Sequence, residues 1–151
     1  MYKRILVPLD GTDTGRRGLM EAITLATEQK STLCLLHVTN DFPFMSEIPI
    51  AFDLEKYREE LQRYGHSLLA DGAKLAASMG LKVETLLHDL KGGRVADAIL
   101  QAAKSGGFDL IVIGTHGRRG ISRALLGSDA EGVLRDSPVP VLLVRAAGAV
   151  S

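Results

Sequence analysis

A chain of 151 residues, 46% hydrophobic and 24% charged, has the size and composition of one globular domain with a substantial core. Eighteen Lys and Arg balance eighteen Asp and Glu, so no charge excess favours nucleic acid or an anionic membrane as partner. No apolar run approaches the roughly eighteen residues of a membrane span, the apolar stretch before Pro8 is too short for a signal peptide, and the single Cys34 leaves no intrachain disulfide, so a cytoplasmic protein is expected.

The first apolar run, Ile5 to Leu9, reads as a strand. It is followed by a helical pattern from Thr14 to Glu28, with Gly18, Leu19, Ala22, Ile23 and Ala26 on one face. A second run, Leu33 to Val38, carries Cys34 as a small core residue. Asn40 to Phe52 is the one long connection, with Pro43, Pro49 and three phenylalanines; loops of that length are usually functional or mobile. The spacing then predicts a long helix from Asp53 to Met79, with Leu54, Tyr57, Leu61, Tyr64, Leu68, Gly72, Leu75 and Met79 as its apolar face. A run from Val83 to Leu87, a helix over Arg94 to Lys104 and a run from Leu110 to Ile113 come next. A helix from about Ser128 to Arg135 and a run from Val139 to Val144 complete the series. Gly80 and Gly106-Gly107 are placed to end the helices before them.

The five runs are nearly continuous rather than alternating, the pattern of strands covered on both faces. The order βαβαβαβαβ predicts an α/β fold: an open five-stranded parallel sheet with right-handed crossovers and helices on both faces. One domain is expected over residues 1–146, with residues 147–151 as a flexible tail.

The chemistry concentrates in the segment after the fourth run. Gly114-Thr115-His116-Gly117 is followed, nine residues later, by Gly127-Ser128 at the start of a helix. Glycines let the backbone approach an anion, and the first amides of a helix point N–H groups at it. Neither Gly-x-Gly-x-x-Gly nor the Gly-x4-Gly-Lys-Ser/Thr loop is present, so the spacing is a different phosphate-binding layout. His116, Arg118, Arg119 and Arg123 add positive charge to the intervening flap, which suits a polyphosphate, although arginines on an exposed loop also serve as a solvated face. The simpler reading of Ser128 is an N-cap. At the tip of the first strand, the Asp10 carboxylate is placed to accept from a ribose or to hold Mg²⁺; alternatively Thr12 or Asp13 caps the first helix, the role expected of Asp13. His37, His66 and His88 have no spacing for a zinc site, and no metal centre is predicted.

With these motifs in order, the chain resembles the universal stress protein family in its ATP-binding branch. Gly114-x2-Gly117-x9-Gly127-Ser128 is similar to that family's nucleotide signature. Tyr2 to Thr12 resembles its first strand and Asp-Gly-Ser/Thr turn, Leu36-His37-Val38 its second strand end, and Ser137 to Arg145 its closing strand. The resemblance implies a Rossmann-like sheet of order 3-2-1-4-5, as in adenine nucleotide alpha hydrolases. It implies adenine near Pro8, Leu9 and Val38, with the backbone of Thr39, Asn40 and Asp41 at its edge, and the ribose near Asp10 and Gly114. The phosphates would lie around Thr115, His116, Gly117, Arg118, Gly127, Ser128 and Asp129. It further implies ATP as ligand, with Mg²⁺ accompanying it, and a homodimer through the last strand, Val139 to Val144, whose apolar edge invites self-association. The function expected is that of a nucleotide-responsive regulatory dimer, with a slow ATPase or phosphotransferase, or a nucleotide-free interaction dimer, as alternatives. Asp129 stands where that family carries a small or apolar residue, and Gly15 and Gly18 where it carries serine and alanine.

Overall fold

The computed structural model describes residues 1–40, 52–116 and 126–145. Nine elements follow in order: β1 (Arg4–Pro8), α1 (Asp13–Gln29), β2 (Thr32–Asn40), α2 (Leu54–Ser78), β3 (Val83–Leu90), α3 (Val95–Ser105), β4 (Leu110–Gly114), α4 (Ser128–Asp136) and β5 (Val141–Val144). All strand pairs are parallel, and the sheet order is β3-β2-β1-β4-β5, as the resemblance implies.

The continuous apolar runs of the three central strands are explained by the period-2 alternation of a strand between two faces. Ile5, Val7, Leu33, Leu35, Leu110 and Val112 pack on one side with Leu19, Ala22 and Ile23 of α1 and Leu69 of α2. Leu6, Cys34, Leu36, Ile111 and Ile113 pack on the other with Ile99 and Ala103 of α3 and Ala130 and Val133 of α4. Both layers exclude water, which is where the dominant stabilisation of the fold resides.

The same reading fails for the outer strands. β3 and β5 were expected to be covered on both faces, yet Leu86 and Leu142 are exposed. As sheet edges these strands have a neighbour on one side only, and an apolar run there does not mean burial. β2 and β3 also run further than their apolar stretches. Thr39 pairs with Asp89 and Asn40 with Leu90, and the Thr39 hydroxyl donates to the Asp89 carboxylate at 3.0 Å. β5 begins at Val141 rather than Val139, because Pro138 and Pro140 have no N–H to give to a ladder.

The buried line of α2 is Gly65, Leu69, Gly72 and Ala76, rotated from the predicted stripe; Tyr64 and Met79 are exposed. The small residues are what let the helix approach. A Cβ on Gly65 would lie 2.7 Å from Leu87 Cδ1 and 2.8 Å from His37 Cδ2. The larger residues of the stripe, among them Leu61 and Leu68, flank this line and are half-buried.

At the amino end of the sheet the Asp109 carboxylate accepts from the amides of Lys3 and Arg4 at 2.9 and 3.1 Å. Arg4 reaches Glu84 through both terminal nitrogens, at 3.2 and 2.9 Å, and stacks over Phe108. Those contacts tie β1, β3 and β4 together at that end. The opposite end, at the strand carboxyl termini, holds the crevice.

Candidate functional site

β1 lies between β2 and β4, so the connections leaving it and β4 diverge to opposite faces, and a crevice opens beyond their carboxyl ends. The cavity there has a volume of about 420 Å³, within the range of small-molecule sites. Its lining combines apolar side chains, from Pro8, Val38, Val95, Ile99 and Ile113, with polar ones, from Asp10, Asn40, His116, Ser128 and Asp129.

Each polar group reaches the crevice for a local reason. β1 ends at Pro8, and the chain turns at Asp10-Gly11 into α1. The Asp10 carboxylate accepts from the Thr12 amide at 3.0 Å and from the Thr12 hydroxyl. That hydroxyl in turn accepts from the Gly15 amide at 3.1 Å, so the N-cap is Thr12. The expectation that Asp13 caps α1 is thereby corrected. Asp13 is the first helical residue, and there its charge meets the positive end of the helix dipole. Asp10 is thus held as part of the turn while it lines the cavity.

Gly114 ends β4 against the start of α1. A Cβ there would lie 2.8 Å from both the carbonyl carbon and oxygen of Thr14 and 3.1 Å from the Gly15 nitrogen. Helix packing therefore demands this glycine independently of any ligand. Beyond it, the Thr115 amide donates to the Val144 carbonyl at 2.9 Å, and the Gly127 amide donates to the Thr115 carbonyl at 2.6 Å. The first bond extends the pairing of β4 with β5; the second closes the base of the loop between the glycine pairs and returns the chain beside Thr115 as α4 begins.

At that return, Gly127 occupies the cap position of α4 and Ser128 is the first helical residue. The reading of Ser128 as N-cap is therefore corrected: no side chain caps this helix. The Glu131 amide makes the first intrahelical bond, to the Gly127 carbonyl at 2.8 Å, and the amides of residues 128–130 precede that ladder. Asp129 is half-buried on the cavity wall, and burial first, then the nearby Asp10 carboxylate, holds its carboxyl above the ordinary range.

Of the residues singled out in the sequence, the fold brings Pro8, Leu9, Asp10, Val38, Gly114, His116, Ser128 and Asp129 to one cavity. Thr115 and Gly127 are not among its lining residues; each adjoins one, and the loop-closing bond joins them to each other. Gly117, Arg118, Arg119, Arg123 and Asp41 lie outside the described residues. The sequence reading missed Leu61 and Tyr64, which α2 contributes to the cavity. Tyr64 meets the buried His37 ring edge-on at 6.0 Å, and its hydroxyl lies over Gly11, where a Cβ would come within 2.0 Å of it. His37 Nδ1 is 2.7 Å from the Leu9 carbonyl oxygen, which fixes the ring beneath Tyr64. Among the described residues, no group of three His, Cys, Asp or Glu is placed to hold a metal ion, and no helix is long and apolar enough to cross a membrane.

The model of the universal stress protein family matches residues 1–145. The chain belongs to that family. Universal stress protein MJ0531 of Methanocaldococcus jannaschii is 34% identical over 145 residues, covering 96% of this chain and 83% of its own. The solved structure of MJ0577, from the same organism, superposes with a TM-score of 0.83 at 27% identity, covering 98% of this chain and 99% of that one. A solved universal stress protein in complex with cAMP has a TM-score of 0.68 at 24% identity, with 97% and 98% covered; at that identity the likeness concerns the fold. Membership of this family is what the sequence motifs pointed to, and the strand order is the one that the resemblance implies.

Proposed function

We propose that this universal stress protein binds an adenine nucleotide, ATP, in the crevice beyond β1 and β4, and works as a nucleotide-responsive regulatory dimer. The observation that carries the reading is one cavity whose lining combines apolar side chains with the opening turn of a helix. Pro8 and Val38 supply a surface for a flat base, and the amides of residues 128–130 supply donors for phosphate. Asp10 and Gly114, which line the same cavity beyond the neighbouring strands β1 and β4, would meet the ribose. Mg²⁺ would enter as the companion of ATP. The residues present fit that role with Asp10 and Asp129 as neighbouring oxygen donors, the phosphates supplying the rest. The bound ion would lower the charge of the polyphosphate.

Dimerisation through β5 is supported by its edge position and its apolar, outward Leu142. A symmetric antiparallel pairing would satisfy the backbone groups of that edge in both copies. The arrangement supplies a means of signalling, because β4 connects the crevice to β5 through four parallel register pairs, Ile111 with Val141 to Gly114 with Val144.

Amide chemical shifts test the placement. Addition of Mg-ATP to the ¹⁵N-labelled protein is expected to move resonances of Val38 to Asn40 and Ser128 to Ala130 first. Shifts confined to other elements would place the nucleotide elsewhere. Leu142→Arg is expected to convert the dimer into a monomer by light scattering, and an unchanged mass would refute the β5 interface.

A further inference from the structure

Two carboxylates line the cavity, and the fold treats them differently. Asp10, at the tip of β1, is engaged by the amide and hydroxyl of Thr12. Asp129 stands in the first turn of α4, among the amides that precede the intrahelical ladder. That turn is where a ligand's anionic group would dock. A fixed negative charge there opposes each negative charge the ligand brings, in a half-buried crevice where solvent and salt screen it poorly. Burial and the field of Asp10 already hold the Asp129 carboxyl above its ordinary range, the direction produced by a place unfavourable to negative charge.

Among the described residues, the other groups around the cavity leave this charge in place. His37 Nδ1 meets the Leu9 carbonyl, and His116 Nδ1 lies 2.9 Å from the Thr115 hydroxyl. From α3, which packs against α4, Arg94 pairs with Asp97 and reaches Asp136 at the far end of α4. Asp10 is the charged group, among the described residues, whose field acts on Asp129.

We propose that Asp129 is a specificity-determining residue of the nucleotide site: it weakens ligands according to the phosphate charge they place at the start of α4, and so brings ATP toward the affinity of AMP. The inference rests on the nucleotide reading above and deepens it. Its consequence is a protein that, toward metal-free nucleotides, discriminates little between AMP, ADP and ATP.

The test is a calorimetric titration of AMP, ADP and ATP into the nucleotide-free protein and into Asp129→Asn. The series is run without Mg²⁺, where ligand charge rises from AMP to ATP, and then with it. The amide keeps the size of the side chain and removes its charge. Asp129→Asn is expected to tighten ATP by about tenfold or more without Mg²⁺ and AMP by clearly less, and the ATP gain shrinks when Mg²⁺ is present. Asp129→Glu, which restores the charge, is expected to keep the wild-type ranking. Equal changes for all three nucleotides, or none, would overturn the proposal while leaving the nucleotide site standing. If neither protein binds any nucleotide in either series, the nucleotide reading falls, and the role of Asp129 with it.

Discussion

Gly114→Ala isolates the contact on which the crevice is built. Gly114 does not have the left-handed backbone found at Gly11 or Gly107, so alanine there meets no conformational penalty of that kind. The cost is contact alone. The new methyl would sit 2.8 Å from the Thr14 carbonyl carbon and oxygen and 3.1 Å from the Gly15 nitrogen, all backbone atoms that cannot rotate away. Relief requires the start of α1 to move off β4. Overpacking of this kind costs about 1–3 kcal/mol, which for a domain of this size lowers Tm by roughly 2–12 °C. Gly18→Ala is the internal control on the same interface. Its Cβ would lie 3.5 Å from the Gly114 nitrogen, an ordinary contact, in the interior of α1. That change is expected to stabilise by about 0.5–1 kcal/mol through helix propensity. Urea unfolding of the two variants beside wild type measures both values. A neutral Gly114→Ala, or a Gly18→Ala as damaging as it, would refute the packing argument.

Removing the cap with Thr12→Ala is expected to cost about 1 kcal/mol in urea unfolding, and Thr12→Ser to retain most of it; equal losses would show that the hydroxyl is not the capping group. Cys34 is buried and its thiol is pushed up to about 11 by burial, so a thiol reagent at pH 8 should label it only as the protein unfolds. Rapid labelling of the native protein would contradict that placement. The Asp129 carboxyl has its folded pKa raised, so the ionised form destabilises the fold, and Asp129→Asn should be more stable than wild type at neutral pH. That advantage is expected to fade as pH falls through the folded pKa and to vanish below the unfolded value; melting curves across pH check it, and a constant difference would contradict it.

The central strands were legible because Ile5 to Leu9, Leu33 to Val38 and Leu110 to Ile113 are apolar at every position but His37, a demand imposed by two covered faces. The exposure of β3 was less so: Val83 to Leu87 reads as one more covered run, although Glu84 and Thr85 interrupt it, as suits a strand with a neighbour on one side only. On α2 the periodicity located the helix but misplaced its centre. Apart from Gly72, which both share, the predicted stripe follows large residues, while the line nearest the sheet also passes through the small Gly65 and Ala76. The same bias hid Tyr64. It sits in a regular three-and-four pattern and looks like core, and only the approach of α2 to the β1–α1 turn makes it a cavity wall. In the candidate site the glycine spacing led to residues that line one cavity, Gly114, Ser128 and Asp129, but it did not show that Gly114 is also required by the packing of a neighbouring helix. Thr12 rather than Asp13 caps α1 because the Asp10 carboxylate draws the Thr12 amide and hydroxyl into the turn.

The central claim is that the crevice beyond β1 and β4 holds an adenine nucleotide, and calorimetric titration of the nucleotide-free protein with Mg-ATP tests it most directly. Saturable binding of one nucleotide per chain at micromolar strength, lost in Gly114→Ala to the extent that the crevice is displaced, is the predicted result. No heat and no thermal stabilisation at millimolar Mg-ATP would contradict it.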